Sequence, residues 1–189
     1  MTKVSSVKRD AVSQLVNLST CETWNNNSSA GLTSASYSIS NNTFTIVTPS
    51  ASSYSWARAL FVYSAELLSV GQYVVSFKIS SDSDNTTVSK VSVVLAGYNT
   101  STTSNAYFLP TSDSKGFNYY GVTTSAKPVE ATFDTTTYNN STSVGSSFSK
   151  TGDSTEEQFA NGFKIAIGFG TDASNAITYT LSDLKITKK

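Results

Sequence analysis

Histidine does not occur in this chain of 189 residues, and cysteine and methionine occur once each. Without an imidazole, the chain cannot supply a Ser-His-Asp relay or a histidine-ligated metal site. Cys21 has no second cysteine to pair with, so a disulfide within the chain is excluded. These absences remove most common catalytic arrangements before any sequence pattern is considered.

Charge is also scarce, since charged residues make up 14% of the chain and 13 Lys+Arg balance 13 Asp+Glu. A protein that binds nucleic acid or a membrane surface through electrostatics carries a basic excess or a basic block, and neither is present. No apolar run approaches the roughly 20 residues that cross a bilayer. The segment VSQLVNLS, which follows the basic start, is too polar for the core of a signal peptide. We therefore expect no nucleic-acid partner, no membrane partner and no secretion signal.

The abundant residues are serine, threonine and asparagine, with 35, 26 and 14 copies. Hydrophobic residues nevertheless reach 38% and aromatic residues 12%, which is too rich for a disordered chain. The length fits one domain. The composition therefore indicates a folded module whose surface is covered by small uncharged side chains.

Apolar residues near the start of the chain recur at spacings of three and four from Val4 to Leu18. This spacing is typical of one face of a helix, so a short helix is predicted there. Such a helix is marginal alone, and its apolar stripe needs a partner. We expect residues 1–20 to form an N-terminal arm or anchor that docks on another protein, with a helix across the chain's own sandwich as the alternative.

Beyond this segment, apolar residues recur at every second position, which is typical of half-buried strands. Ser36–Ser40 and Thr43–Val47 are joined by Asn41-Asn42, and this predicts a hairpin because asparagine tolerates the left-handed backbone of a two-residue turn. Further strands are predicted at residues 58–63, 72–79, 88–96, 106–109, 129–133, 163–169 and 177–186. The order of elements predicts an all-β fold, an antiparallel β-sandwich (jelly roll) of about eight strands, at residues 21–189.

Four sequence features follow one another in an order found in one known kind of domain. They are Asn17-Leu18 before Trp24, a hairpin ending in Phe44-Thr45-Ile46, a strand entry with Leu67, Gly71, Tyr73, Ser76 and Phe77, and the closing segment Ile177–Ile186. In this order they resemble carbohydrate-binding-module-like jelly rolls. The resemblance implies that the glycine turns the chain into a strand whose alternate aromatics enter the core. It also implies a display or binding role, because such domains occur in secreted glycosidases and as decoration, fibre or baseplate modules of bacteriophage particles.

The chain starts with its own methionine and ends directly after the closing strand, without a catalytic domain. We therefore expect a non-enzymatic bacteriophage virion protein, located on the capsid or tail, attached to other virion proteins through its arm and displaying a weak glycan-binding surface. Contact with host-surface glycans and assembly into a homo-oligomer are compatible with this role. The alternative is a stand-alone carbohydrate-binding module or an adhesin that binds polysaccharide.

Sugar binding needs aromatic rings for the apolar face of a sugar and polar groups for its hydroxyls. Tyr54, Trp56, Tyr119 and Tyr120 lie in or beside predicted loops and are the candidate ligand-binding residues. The competing interpretation is that these rings pack at the ends of the sandwich. If the segment around Tyr119 and Tyr120 is extended, the two rings point to opposite sides and only one can join a given platform.

Asp82 and Asp84 place carboxylates at alternate positions of a predicted turn, as calcium loops do. The segment lacks the glycine and the distant glutamate of an EF-hand, and aspartate is favoured in turns for local backbone reasons. The segment therefore has two interpretations, a solvated hairpin turn or a structural Ca²⁺ site, and no other cofactor is expected. No acidic pair falls in a recognisable catalytic motif, so no enzymatic activity is expected.

Overall fold

The computed structural model describes residues 12–21, 36–50, 56–63, 72–98, 105–108, 119–134 and 163–189. Within these ranges lie eleven strands and one short 3-10 helix, Leu18–Thr20. The strands are β1 (Val12–Leu15), β2 (Ser36–Ser40), β3 (Thr43–Thr48), β4 (Trp56–Tyr63), β5 (Gln72–Ser81), β6 (Lys90–Tyr98), β7 (Asn105–Phe108), β8 (Tyr119–Gly121), β9 (Lys127–Asp134), β10 (Phe163–Gly170) and β11 (Ile177–Lys188). No helix in the described ranges is long and apolar enough to cross a membrane.

The strands form two antiparallel sheets. Sheet 1 has the order β2-β3-β11-β5-β9, with β1 beside the second half of β11. Sheet 2 has the order β4-β10-β6-β7, with β8 beside the first part of β6. The predicted antiparallel β-sandwich is confirmed, with more strands than the eight expected.

Alternate side chains from both sheets meet in one hydrophobic core. Phe44 on β3 contacts Phe169 on β10 with 5.7 Å between the ring centroids, and Phe169 contacts Tyr179 on β11 at 5.4 Å. All three rings are fully buried. Burying a large apolar side chain stabilises a fold by roughly 1.5–3 kcal/mol, so this aromatic column is a major link between the two sheets.

One extra residue in β11 lets apolar side chains in both halves of the strand point into the core. Residues 177, 179 and 181 are buried in the first half, whereas Leu184 and Ile186 are buried in the second half. The change from odd to even positions occurs at a bulge. Ser182 pairs with Lys78 of β5, whereas Lys185, three residues later, pairs with Ser76, which is only two residues from Lys78. Asp183 within the bulge has a φ of 55°, a left-handed conformation that aspartate tolerates better than most residues.

The Asn41-Asn42 hairpin is confirmed, with φ angles of 49° and 54° at its two turn residues. Asn42 has a second role, because its side chain contacts the chain near the N-terminus. Its Oδ1 accepts a hydrogen bond from the Leu18 N–H at 2.8 Å, and its Nδ2 donates to the Val16 carbonyl at 3.1 Å. Leu18 is fully buried, so the amide of Asn42 secures a segment that belongs to the core.

The predicted helix across Val4–Leu18 is wrong where the structure describes it. Val12–Leu15 is a strand that pairs with Lys185–Lys188 of β11, and only Leu18–Thr20 is helical. Backbone pairing with a central strand outweighs the apolar spacing, which was a weak signal over so few residues. Residues 4–11 lie outside the described part, and an anchoring role for residues 1–20 stays a prediction.

Candidate functional site

The outer face of sheet 2, which is turned away from the core, brings polar and aromatic side chains together. Val91 and Val93 of β6 are buried inward, so the alternating positions Lys90 and Ser92 belong to the outer face. Strand β8 lies beside this part of β6, with Tyr119 directly opposite Ser92. On the other side of β6, Gly168 of β10 is opposite Ser92.

Among the residues whose burial the structure describes, Tyr119 is an exposed aromatic residue of this face, with 47% of its surface accessible. The Lys90 ammonium lies 5.8 Å from the centroid of the Tyr119 ring, within the range of a cation–π contact. The amine donor therefore lies over one face of the aromatic ring, while Ser92 and Gly168 beside them are small and buried. We call the group formed by Tyr119, Lys90, Ser92 and Gly168 the sheet 2 cluster.

Tyr119 and Tyr120, which the sequence places in or beside a predicted loop, are the first two residues of strand β8. The strand turns the two rings to opposite sides, as anticipated for an extended segment. Tyr120 packs against the core, and its hydroxyl donates to the Glu130 carbonyl of β9 at 3.3 Å. The structure therefore puts Tyr119 on the outer face and uses Tyr120 to join the two sheets.

The turn at residues 86–88 closes one end of the sheet 2 cluster. A Cβ atom added to Gly121 would lie 2.9 Å from the Thr86 Cβ, and one added to Gly170 would lie 2.4 Å from the Val88 carbonyl oxygen. Real Cβ atoms essentially never approach so closely. Glycine at these two positions is thus what allows the turn to lie directly on the ends of β8 and β10.

Tyr179 supports this turn from inside the sandwich. Its buried hydroxyl donates to the Gly170 carbonyl at 3.0 Å and accepts a hydrogen bond from the Lys90 N–H at 3.2 Å. Burial raises the pKa of Tyr179 to about 12, against which the hydrogen bond from Lys90 acts only in part. The phenol is therefore protonated at neutral pH. Through its bond with the Lys90 N–H, Tyr179 of sheet 1 holds the start of β6 in place.

Asp82 and Asp84 were the candidate metal ligands, and both carboxylates bind backbone groups of other segments. Asp82 Oδ1 accepts from the Thr178 N–H at 3.0 Å. Asp84 Oδ1 accepts from the N–H and the hydroxyl of Thr124 at 2.8 and 2.9 Å, and these bonds hold the pKa of Asp84 below its ordinary value. Among the described residues, no group of three His, Cys, Asp or Glu could hold a metal ion. The two carboxylates hold the turn by hydrogen bonds to neighbouring segments, and a Ca²⁺ site stays a prediction without support from their geometry.

Three other residues of interest are not part of the cluster as described. Tyr54 lies outside the described residues. Trp56 is the first residue of β4, and the backbone register sets it opposite Gly170. Cys21 is partly buried, and this burial raises the pKa of its thiol to about 11, so the thiol is protonated at neutral pH and is a poor nucleophile.

Sequence reasoning missed Lys90, Ser92 and Gly168 as members of the cluster. The alternation Lys90-Val91-Ser92-Val93 marks the first two polar positions as outward-facing, which is a usable signal. The alternation does not show which strands lie beside β6, however, because its partners β8 and β10 are distant from it in the sequence.

No protein-family model matches the chain, and no curated protein matches it. Solved structures do match. A protein from Bacteroides thetaiotaomicron, described as a candidate sugar-binding protein, superposes with a TM-score of 0.60 at 16% identity, covering 89% of this chain and 86% of the other. The family 11 carbohydrate-binding module of a cellulosomal cellulase from Clostridium thermocellum superposes with a TM-score of 0.51 at 8% identity, covering 94% and 95%. The chain has the fold of a carbohydrate-binding-module β-sandwich.

These identities are low, so the likeness concerns the fold and not the ligand. The resemblance to carbohydrate-binding-module-like jelly rolls seen in the sequence is confirmed at the level of fold. The expected origin in a bacteriophage virion has no support in these structures. Attachment to virion proteins and location in a particle stay predictions.

Proposed function

We propose that the chain is a non-catalytic carbohydrate-binding module that binds a polysaccharide on the outer face of sheet 2. This was the alternative to the virion role in the sequence analysis, and the fold of the two similar structures favours it. The proposal also agrees with a chain that has no histidine and few charges, because sugar recognition relies on ring stacking and hydrogen bonds to hydroxyl groups and not on many ion pairs.

The observation that carries the proposal is the exposed ring of Tyr119 in the sheet 2 cluster. A sugar ring has an apolar face that stacks on an aromatic side chain, and hydroxyl oxygens that accept hydrogen bonds from an ammonium group such as that of Lys90. Strand pairing between β8 and β6 fixes the backbone that carries the ring. A site on paired strands is held more precisely than a site on a free loop.

The test is a binding screen against soluble neutral and uronate-containing polysaccharides, followed by calorimetric titration with an oligosaccharide of the best polymer. We expect Tyr119→Ala to weaken binding by about five- to thirtyfold, because loss of a stacking ring in a contact costs on the order of 1–2 kcal/mol. Tyr37→Ala is the matched control, since Tyr37 is also an exposed tyrosine, at 52%, but lies on β2 of the other sheet.

An oligosaccharide is used for the titration so that each binding event is monovalent and assembly of the protein does not alter the measured affinity. Unchanged affinity in Tyr119→Ala, or an equal loss in Tyr37→Ala, would reject this face as the binding site. If no polysaccharide in the screen binds at millimolar site concentration, the carbohydrate-binding proposal itself fails.

A further inference from the structure

The two edges of sheet 1 differ in how they are protected. Exposed strand edges invite pairing with another chain, and natural sheets protect them with charged residues and proline. Edge strand β9 carries Lys127, Pro128 and Glu130, all exposed. Edge strand β2 has the sequence Ser-Tyr-Ser-Ile-Ser, with no charge and no proline, and more than half of the Tyr37 side chain is exposed.

The hairpin geometry determines which backbone groups of β2 face outward. In a hairpin with a two-residue turn, the residues that flank the turn form a hydrogen-bonded pair, and such pairs alternate along the strands. Ser40 is paired with Thr43 next to the turn, so the N–H and C=O groups of Ser36, Ser38 and Ser40 point to β3. Those of Tyr37 and Ile39 point away from the sheet. No strand within the described ranges pairs with this side of β2.

The sequence of β2 is complementary to itself in an antiparallel arrangement. With a two-fold axis at Ser38, Tyr37 of one copy lies opposite Ile39 of the other, and Ser36 lies opposite Ser40. The outward N–H and C=O groups of Tyr37 and Ile39 then meet in the pattern of an antiparallel ladder, which gives four hydrogen bonds. The apolar side chains meet on one face and the serines on the other, as an isologous interface requires.

Packing on the inner side favours the same arrangement. The Tyr37 ring stacks on Phe44 at 6.0 Å and 24° between planes, which holds the exposed ring in position at the edge. Ile39 is only partly buried against the core. A second copy would cover both side chains with the same pair of side chains from its own edge.

We propose that β2 pairs with β2 of a second copy of this chain, so that sheet 1 continues across a two-fold dimer. The partner is a second copy because the edge matches itself in length, in side-chain pattern and in hydrogen-bond phase, and because the uncharged strand presents no repulsion to its copy. This interface is separate from the sheet 2 cluster and does not depend on carbohydrate binding.

The first test is sedimentation equilibrium over a concentration series. We expect the wild-type chain to form a dimer, and Tyr37→Lys to raise the dissociation constant at least tenfold by introducing two charges into the paired edge. Val47→Lys is the matched control, because Val47 is an exposed apolar residue, at 37%, on the neighbouring strand and on the opposite face of sheet 1. A wild-type chain that stays monomeric at all concentrations, or equal effects of the two lysines, would overturn the proposal.

The second test fixes the register through a disulfide. In the proposed pairing, Ser38 faces its own copy in a non-hydrogen-bonded pair, with about 4.5 Å between Cα atoms, a distance that suits a disulfide. Ser36 on the same strand and face would be about 14 Å from its own copy, since the two are four residues apart along the strands and each residue advances about 3.4 Å. In a Cys21→Ser background, Ser38→Cys should therefore cross-link under mild oxidation at least ten times faster than Ser36→Cys. Equal rates, or faster cross-linking of Ser36→Cys, would refute this register and with it the proposed interface.

Discussion

Replacing Tyr179 by phenylalanine tests how strongly sheet 1 supports the turn at the sheet 2 cluster. The substitution keeps the ring in the aromatic column but removes the hydroxyl that bonds to Gly170 and Lys90. A hydrogen bond contributes about 0.5–1.5 kcal/mol net, and a buried group left without a partner costs more. We expect the free energy of unfolding to fall by about 2–3 kcal/mol, which lowers the melting temperature by roughly 5–10 °C for a chain of this size.

The measurement is urea unfolding of the wild-type protein and of two variants, Tyr179→Phe and the control Tyr119→Phe. Tyr119 is 47% exposed and lies outside the proposed β2 interface, so loss of its hydroxyl should change the unfolding free energy by less than about 0.5 kcal/mol. If the two variants unfold at the same urea concentration, the hydroxyl of Tyr179 does not support the turn and the reasoning is wrong.

The pH dependence of the same variant provides a second, independent check. Because the pKa of Tyr179 is raised from 10.0 to about 12 in the folded protein, its contribution is fully present below pH 10 and is lost as the pH rises towards 12. A difference of two pKa units corresponds to about 3 kcal/mol. The stability gap between wild type and Tyr179→Phe should therefore narrow from pH 9 to pH 11, and a gap that stays constant would contradict the assignment.

Three further predictions concern residues that hold turns in place. Gly170→Ala should destabilise the protein by about 2–3 kcal/mol in urea unfolding, because the new Cβ meets the Val88 carbonyl; an effect below 0.5 kcal/mol would show that the turn moves freely. Asn42→Gly should cost about 1–2 kcal/mol although Asn-Gly suits such turns, since the hydrogen bond to Leu18 is lost; a stabilised variant would contradict this. The Asp84 carboxyl should titrate below its ordinary pKa in an NMR pH series. Its contribution to stability is then present above the ordinary pKa and is lost as the pH falls through the lowered pKa. A titration midpoint at or above the ordinary pKa would contradict the role of this carboxylate in holding the turn.

Local patterns in the sequence predicted local structure well. The hairpin around Asn41-Asn42 depends on residues close together in the chain, so its alternation and its turn chemistry are both visible in one short window. The segment Val12–Leu15 was mispredicted for the opposite reason. Its conformation is decided by pairing with Lys185–Lys188 at the far end of the chain, which no local pattern reports.

The candidate site was only partly predictable for the same physical reason. Tyr119 was identified from its residue type, but the three-residue strand that holds it is too short to show an alternating pattern. Lys90 is a neighbour of Tyr119 only because β6 pairs with β8. Asp82 and Asp84 were recognised as oxygen-bearing turn residues, whereas the backbone groups that they bind come from distant segments.

The position of β11 has a consequence for how this sandwich can be made. β11 is the last of the described strands in sequence order, yet it is the central strand of sheet 1, where it separates the β2–β3 hairpin from the β5–β9 pair. A ribosome-bound chain that stops before residue 177 thus holds the β2–β3 hairpin, the β5–β9 pair and β1, with none of the described strands to join them. Sheet 1 must therefore be completed after nearly the whole sandwich has been synthesised, and closure of such distant contacts makes folding slow.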